Sequence, residues 1–532
     1  MTFAIDFGTS NTVITRWNGV TAQPEVISLP GLAQQMADNP PLLPSLVYVD
    51  NAGANQVQVG QTVRDRGLDL GSDPRFFRNF KRGIGTPIQG FLPTLDGVAL
   101  TFEQVGQWFL TQVVQTLQSS QPLSDLVFTV PVDSFEAYRH WLGQVCETLA
   151  VDQVRMLDEP TAAALGYGLQ DGETLLVVDF GGGTLDLSLV QLAAAAQKRQ
   201  PLGFVLKWGQ KSLAETSAQR PQTARVLAKA GENLGGADLD NWLLDFFSTT
   251  QDLAITPLTL RLAERLKIQL SSRKQAQEAY FNDETLESIE LALSRSQFET
   301  ILKDNDFFTR LDARMEQVLQ QGRRQGIVPD DVDAVLLVGG TAQIPAVQTW
   351  LQGYFPASKI RCDRPFTAVA KGALQLQQGL ELNDFLYHSY GIRYWDRRQN
   401  RHGWHSIIQA GQPYPMAEAT ELVLGASTEG QPSIELIIGE LGDAASTTAT
   451  EVFFEGDRLI TRQRQGEAAV VQPLNDNDGS RTIAKLEPLG VPGSDRVRVL
   501  FQVDGDRTLR ITVEDILTGE TLASDQPVVK LS

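Results

Sequence analysis

The sequence predicts an α/β fold of two similar lobes facing each other across a cleft, residues 1–380, then a linker at 381–390 and an antiparallel β-sandwich domain over 391–532. Three observations carry this. A glycine-bearing hairpin occurs twice, at Asp6-Phe7-Gly8 and at Asp179-Phe180-Gly181. Strand–turn–helix units follow both hairpins in the same order, as an internal duplication requires. Beyond Leu380, helical periodicity gives way to the alternation of strands.

Taken in order, "FAIDFGTSNTVITRW" is an apolar run, a turn of small residues and a second apolar run, which reads as a hairpin. "DLVFTVPVDSFEAYRHWLGQVCETL" reads as a strand, a turn at Pro131 and a helix, and "DEPTAAALGYG" as a Pro-led, Ala-rich helix start. The cycle then repeats: "VVDFGGGTLDLSLV" is the second hairpin, "DAVLLVGGTAQIPAVQTWLQGYF" the second strand–turn–helix, and "DRPFTAVAKGA" the second Ala-rich start. Between them, the stretch after Val190 up to "GENLGG" reads as a surface excursion, partly helical and partly polar. "PLTLRLAERLKIQLSS", Pro257 to Ser272, is an amphipathic helix with Leu262, Leu266 and Leu270 on one stripe and Glu264, Lys267 and Ser271 on another. From Tyr390 onward, "SIELIIGEL", "TEVFFEGDRLITRQ" and "RVRVLFQVDGDRTLRITVED" alternate between Gly, Asn and Asp turns and read as the β domain.

Composition narrows the function. Acids outnumber bases 64 to 45, a net charge of −19, which speaks against a nucleic-acid or anionic-membrane binder. Two distant cysteines, Cys146 and Cys362, give neither a metal spacing nor a disulfide framework. The N-terminus enters strand-like sequence without a basic leader, and no apolar run reaches membrane-span length, so a cytoplasmic protein is expected.

Consecutive glycines allow backbone N–H groups to converge on a phosphate, because no Cβ blocks the approach. Two such turns on opposing lobes, at Gly8-Thr9-Ser10 and Gly181-Gly182-Gly183-Thr184, would grip a polyphosphate from both sides. Asp6 and Asp179 each close a strand just before a turn, where hard carboxylates suit Mg²⁺ held through its waters.

These elements resemble the actin-like ATPase fold, and within it the chain is similar to the heat shock protein 70 (DnaK-type) chaperones. "IDFGTSN", "FKRGIG", "TVP", "DEPTAAALGYGL", "VVDFGGGTLDLS", "GENLGGADLDNW", "AERLKIQLSS" and "LLVGGTAQIP" stand in that family's order. The resemblance implies binding of ATP or ADP with Mg²⁺, the metal ordered by Asp6 and Asp179 through water. It implies catalytic roles for Lys81, Glu159, Asp186 and Thr184, and nucleotide contacts from Gly8, Thr9, Ser10, Asn11, Gly181, Gly182 and Gly183. Gly235, Gly236, Glu264, Lys267, Ser271, Gly339, Gly340 and Gln343 match the nucleoside side. Pro131, Arg139 and Asp384 match a relay between the site and the linker. Three positions depart from the pattern: Gln343 stands where the family has an arginine over the adenine, and Ala237 and Phe366 each replace an acid. Weaker nucleotide binding is the expectation, since cation–π stacking worth about 0.5–2 kcal/mol is given up at Gln343.

Past the linker, "SYGIRY", "IIQAGQPYP", "QPSIELIIGELGD" and "DRTLRITVEDILTGE" resemble the family's β substrate-binding domain, which clasps extended apolar peptide. In "LELNDFLYHSY", Glu381 and Asn383 interrupt the family's apolar linker run, so weaker docking of the linker is expected. With Ser532 as the last residue, a variant without the helical lid is expected, and bound peptide would leave quickly.

The resulting expectation is an ATP-hydrolysing chaperone whose β domain binds unfolded polypeptide, with a J-domain co-chaperone and a nucleotide-exchange factor as further partners and no nucleic acid or membrane. The alternative is a low-turnover, nucleotide-dependent regulatory protein whose β domain meets a folded partner. A filament-forming or small-molecule kinase relative fits less well, because neither needs a C-terminal β domain.

Overall fold

Both glycine hairpins form, each at the centre of its own sheet. The computed structural model describes residues 1–531 other than 36–38, 87, 90–91, 132–135, 152, 169–171, 194–204, 209–222, 283–286, 376–385, 387–388, 397–400, 410–411, 413, 417, 442–447, 456–457, 466–470, 475–480 and 506. In the first lobe, β1 (Thr2–Phe7) pairs antiparallel with β2 (Asn11–Asn18), which pairs with β3 (Gln23–Val26). On its other side β1 runs parallel to β4 (Asp125–Val130), and β4 parallel to β5 (Gln153–Asp158).

The second lobe repeats that plan. β6 (Thr174–Phe180) pairs antiparallel with β7 (Leu185–Ala193), which pairs with β8 (Thr223–Glu232). β6 runs parallel to β9 (Ala334–Val338), and β9 to β10 (Ile360–Arg361). Strand order and sense therefore match between lobes, β3-β2-β1-β4-β5 against β8-β7-β6-β9-β10. Side chains of β6 alternate between two cores: Leu176, Val178 and Phe180 enter the large cluster of the second lobe, while Leu175 and Val177 enter one shared with the Ala-rich helices. A sheet covered on both faces needs apolar residues at nearly every position, which is why these strands read as continuous runs.

Two strands of the sequence excursion are described, β8 and Val205–Trp208, which adds to the edge of β5. The expected helical part lies outside the described residues. The helices that matter for the site are α1 (Glu136–Thr148), α2 (Glu159–Tyr167), α3 (Gly236–Gln251), α4 (Pro257–Ser272) and α5 (Ala368–Gln375). Asp158 caps α2 by accepting from Thr161 N at 2.8 Å, with Pro160 in the first turn. The two Ala-rich helices, α2 and α5, pack backbone to backbone. A Cβ on Gly166 would stand 1.9 Å from Ala368 O, and one on Gly372 1.7 Å from Ala162 O.

The chain divides into two compact units. One includes Met1–Lys198, Val205–Leu382 and Thr450–Arg462; the other includes Asn383–Ala449 and Gln463–Ser532. Residues 450–462, which the sequence places in the β domain, group with the first unit. Asp384 and most of the linker lie outside the described residues.

The second unit is built on two four-stranded sheets. One runs β12 (Arg401–Ile408), β11 (Ser389–Asp396), β14 (Ile438–Leu441), β15 (Val471–Pro473); the other runs β13 (Thr420–Gly425), β16 (Asp495–Val503), β17 (Thr508–Asp515), β18 (Thr521–Lys530). Tyr390, Ile392 and Ile438 from the first share a core with Val499, Phe501, Ile511 and Val513 from the second, which makes a sandwich.

Candidate functional site

Three glycine turns converge in the first unit. In the β1–β2 turn a Cβ on Gly8 would lie 2.2 Å from Asn11 O, and Ser45 Oγ donates to Gly8 O at 2.7 Å. In the β6–β7 turn, Gly181 N donates to Thr184 O at 3.1 Å. The two turns meet: a Cβ on Gly182 would stand 2.0 Å from Ser10 Oγ, and one on Gly183 2.6 Å from Thr9 Oγ1. Gly236 N and Ala237 N, at the start of α3, donate to Gly181 O and Gly182 O at 3.1 and 2.8 Å. From the end of β9, Gly339 adopts φ 83°, a conformation that favours glycine, and a Cβ there would lie 2.3 Å from Phe180 O. Thr341 Oγ1 donates to Gly181 O at 2.8 Å.

These turns line one cavity of about 690 Å³. Of the residues singled out from sequence, Asp6, Gly8, Thr9, Ser10, Asn11, Lys81, Glu159, Asp179, Gly181, Gly182, Gly183, Thr184, Gly236, Glu264, Lys267, Ser271, Gly339, Gly340 and Gln343 line it. Gly235 does not, but packs 2.5 Å (as Cβ) from the Gly182–Gly183 backbone. Asp186 stands directly opposite Asp179 across the β6–β7 hairpin. Pro131 follows β4, and Arg139 lies on α1, buried rather than on the surface, where its charge reaches Asp158.

The floor of the cavity is crowded with acids around one base. Lys81 Nζ donates to Phe7 O at 2.5 Å and stands 3.5 Å from Glu159 Oε1; Thr129 Oγ1 donates to Asp6 Oδ1 at 2.9 Å. Burial alone would lower the Lys81 ammonium, but the Tyr138 phenol, Glu159, Asp6 and Asp179 outweigh it and hold the pKa above its usual value. Burial pushes Glu159 up to about 7 despite Lys81. Burial, then the neighbouring Glu159, Asp186 and Asp6, raises Asp179 well above the carboxylate range, and burial raises Asp6 too. Like charges facing across a hairpin are unfavourable, so the Asp179–Asp186 pair is a local conflict of the kind found at functional sites. One lysine does not balance these carboxylates, which is a setting suited to a cation.

At the other end, Glu264 is already engaged. Arg64 Nη2 donates to its Oε2 at 3.2 Å and Arg78 Nη2 stands 3.9 Å away. Burial would raise Glu264; Arg64 and Arg78 outweigh it and hold the carboxyl below its usual range. Lys267 Nζ reaches Asp240 Oδ1 at 2.8 Å and Gly236 O at 2.7 Å. Arg64, Ile268, Gln348 and Cys362 also line the cavity and were not singled out from sequence. Ile268 follows from the same helical spacing as its neighbours, since 264, 267, 268 and 271 share one face. Arg64 has no local signal.

The family model "Hsp70 protein" matches residues 93–198 and 223–393. The chain is 29% identical over 459 residues to "Chaperone protein dnaK1" of Synechocystis sp., covering 80% of this chain and 56% of that protein. It is 25% identical over 544 residues to "Chaperone protein DnaK" of Thermosipho melanesiensis, covering 97% of this chain and 78% of that one. The match to the Synechocystis relative thus spans little more than half of its length.

Proposed function

The chain belongs to the Hsp70 protein family, and on that premise we propose that it is an ATP-dependent chaperone of this type, hydrolysing ATP in the first unit to regulate the hold of the β sandwich on unfolded polypeptide. The observation that carries the reading is the meeting of Gly182 with Ser10 and of Gly183 with Thr9 at the cavity that also holds Lys81 and Glu159.

Backbone N–H groups of the two turns would bind the phosphate tail from both lobes. Among the described residues no group of three or more His, Cys, Asp or Glu side chains is placed to hold a metal directly. Asp6 and Asp179 therefore suit Mg²⁺ kept in its water shell, and the ion would neutralise charge on the phosphate oxygens. Lys81, fixed by Phe7 O, would hold the γ-phosphate and stabilise the charge that develops on it. Glu159, with a pKa raised toward neutrality, and Asp186 would orient the attacking water, with Thr184 holding the phosphate side. Glu264, Lys267 and Ser271 on α4 would face the nucleoside. Pro131, Arg139 and Asp384 would pass the state of the site toward the linker; the proximity of Arg139 to Asp158, the neighbour of Glu159, supports this. Unfolded polypeptide, a J-domain co-chaperone and an exchange factor are the partners this reading implies, in a cytoplasmic setting. Among the described residues no helix is long and apolar enough to cross a membrane.

A second reading, a regulatory protein with little turnover, is favoured by one observation: Gln343 and Phe366 line the cavity where the family pattern has charged residues. Calorimetric titration of ATP and ADP, with ATPase turnover measured with and without an unfolded peptide, separates the two. Peptide-stimulated turnover supports the chaperone. Nucleotide binding without stimulation supports the regulator.

A further inference from the structure

β14 and β15 are antiparallel neighbours, which a short turn can join. Residues 442–470 stand between them instead. Within that stretch Thr448–Glu455 and Arg458–Gln465 are adjacent strands, and the first runs parallel to the short strand Ile88–Gln89, with Glu451 opposite Ile88 and Val452 opposite Gln89. Residues 450–462 thus belong to the nucleotide-site unit, although they are inserted in the sequence of the sandwich.

Their contacts fall on both lobes of that unit. On the first-lobe side, besides the pairing with Ile88–Gln89, Arg82 Nη2 donates to Thr461 Oγ1 at 2.6 Å. On the second-lobe side, Arg458 Nη1 donates to Asp245 Oδ1, on α3, at 2.6 Å. Arg82 itself spans the lobes: its two Nη atoms each stand 3.1 Å from a carboxylate oxygen of Asp238, in the first turn of α3. Asp238 and Asp245 are seven residues apart and so share a face of that helix. Val452 and Leu459 are 0% and 3% exposed, so the segment buries apolar side chains besides making its charged contacts. Arg82 also borders the phosphate turn, its Cγ standing 3.1 Å from where a Cβ on Gly183 would be.

We propose that the strand residues 450–455 and 458–462 form a strap across the mouth of the cleft. The surface formed by Arg82, Ile88–Gln89 and the Asp238–Asp245 face of α3 is an interaction surface whose partner is this segment of the same chain, and its effect is to retain bound nucleotide. The proposal rests on the ATP-binding reading above. A ligand gripped by both lobes leaves when they separate, and a segment that touches both lobes together binds the closed form better than the open one. That difference shifts the equilibrium toward closure.

The test is stopped-flow release of a fluorescent ADP analogue from the full chain. Arg458→Ala with Thr461→Val is expected to speed release about tenfold, the factor that 1.4 kcal/mol gives. Asp245→Cys with Arg458→Cys, joined by a bismaleimide linker matched to the span of the arginine–carboxylate pair and mapped by mass spectrometry, is expected to slow release about tenfold relative to the wild type treated with the same reagent. Equal rates with and without the linker, a release rate unchanged in the Ala/Val variant, or failure of the matched linker to join the two positions would each overturn the strap. A wild-type chain that binds no ADP overturns the ATP-binding reading itself, and this outcome is read before any variant is compared.

Discussion

Lys81 Nζ lies 3.5 Å from Glu159 Oε1 at the base of the cleft, the two side chains only 10% and 11% exposed. The base has its position fixed by Phe7 O as well, so it is held before any substrate arrives. Replacing Lys81 with Ala is expected to slow single-turnover ATP hydrolysis about 10²–10³-fold, the usual cost of one donor to developing charge. Affinity for ADP, which lacks the γ-phosphate this lysine would hold, should change little. A single-turnover rate equal to that of the wild type rejects the role.

Gly182 has no room for a side chain. Its Cβ would stand 2.0 Å from Ser10 Oγ, on the opposing turn. Overpacking typically costs about 1–3 kcal/mol, so Gly182→Ala is expected to weaken ATP binding about 5- to 150-fold. Calorimetry gives the number. An affinity within twofold of the wild type would mean that the turns need not approach each other to bind nucleotide.

The crossing of α2 and α5 depends on Gly372, whose Cβ would meet Ala162 O at 1.7 Å. Backbone does not yield as a side-chain tip does, so Gly372→Ala is expected to destabilise the first unit by about 3 kcal/mol or more. Denaturant unfolding followed by tryptophan fluorescence measures this. A midpoint equal to that of the wild type would show that the helices can part without loss.

In the sandwich, Asp515 is 2% exposed and its Oδ2 accepts from Arg496 Nη2 at 2.8 Å, while Oδ1 accepts from Leu517 N and Thr518 N. Burial would raise its pKa; Arg496 and the backbone donors outweigh burial and lower it. The folded state thus binds this proton less readily than the unfolded chain. The stabilisation is complete above the unfolded value, about 3.9, and is lost as pH falls from there through the lower folded value. Arg496→Ala should cost about 3 kcal/mol at neutral pH by leaving a buried charge unpaired. The variant should also lose the acid-side slope below about pH 4. Urea unfolding across pH 2–7 checks both; an identical pH profile in the variant would rule the pair out as its source.

What could be read from sequence was whatever is local. The hairpins at Asp6 and Asp179, the helix Pro257–Ser272 and the turn at Gly339 each rest on a short periodic or glycine-bearing stretch, and the structure forms all of them. The duplicated strand order also follows from repeated short units. What stayed hidden joins distant residues. Arg64 reaches Glu264 across 200 positions and Arg82 reaches Asp238 across 156, and no periodicity encodes such pairs. Residues 450–462 read as sandwich strands because alternation reports a strand without saying which sheet it joins.

The two hairpins are not equal copies. Asp179 faces Asp186, whereas Asp6 faces Val13. The repeated frame therefore carries two unlike halves: only the second hairpin sets two acids face to face, and only the first supplies the Thr9 and Ser10 against which Gly183 and Gly182 close, so neither turn could stand in for the other.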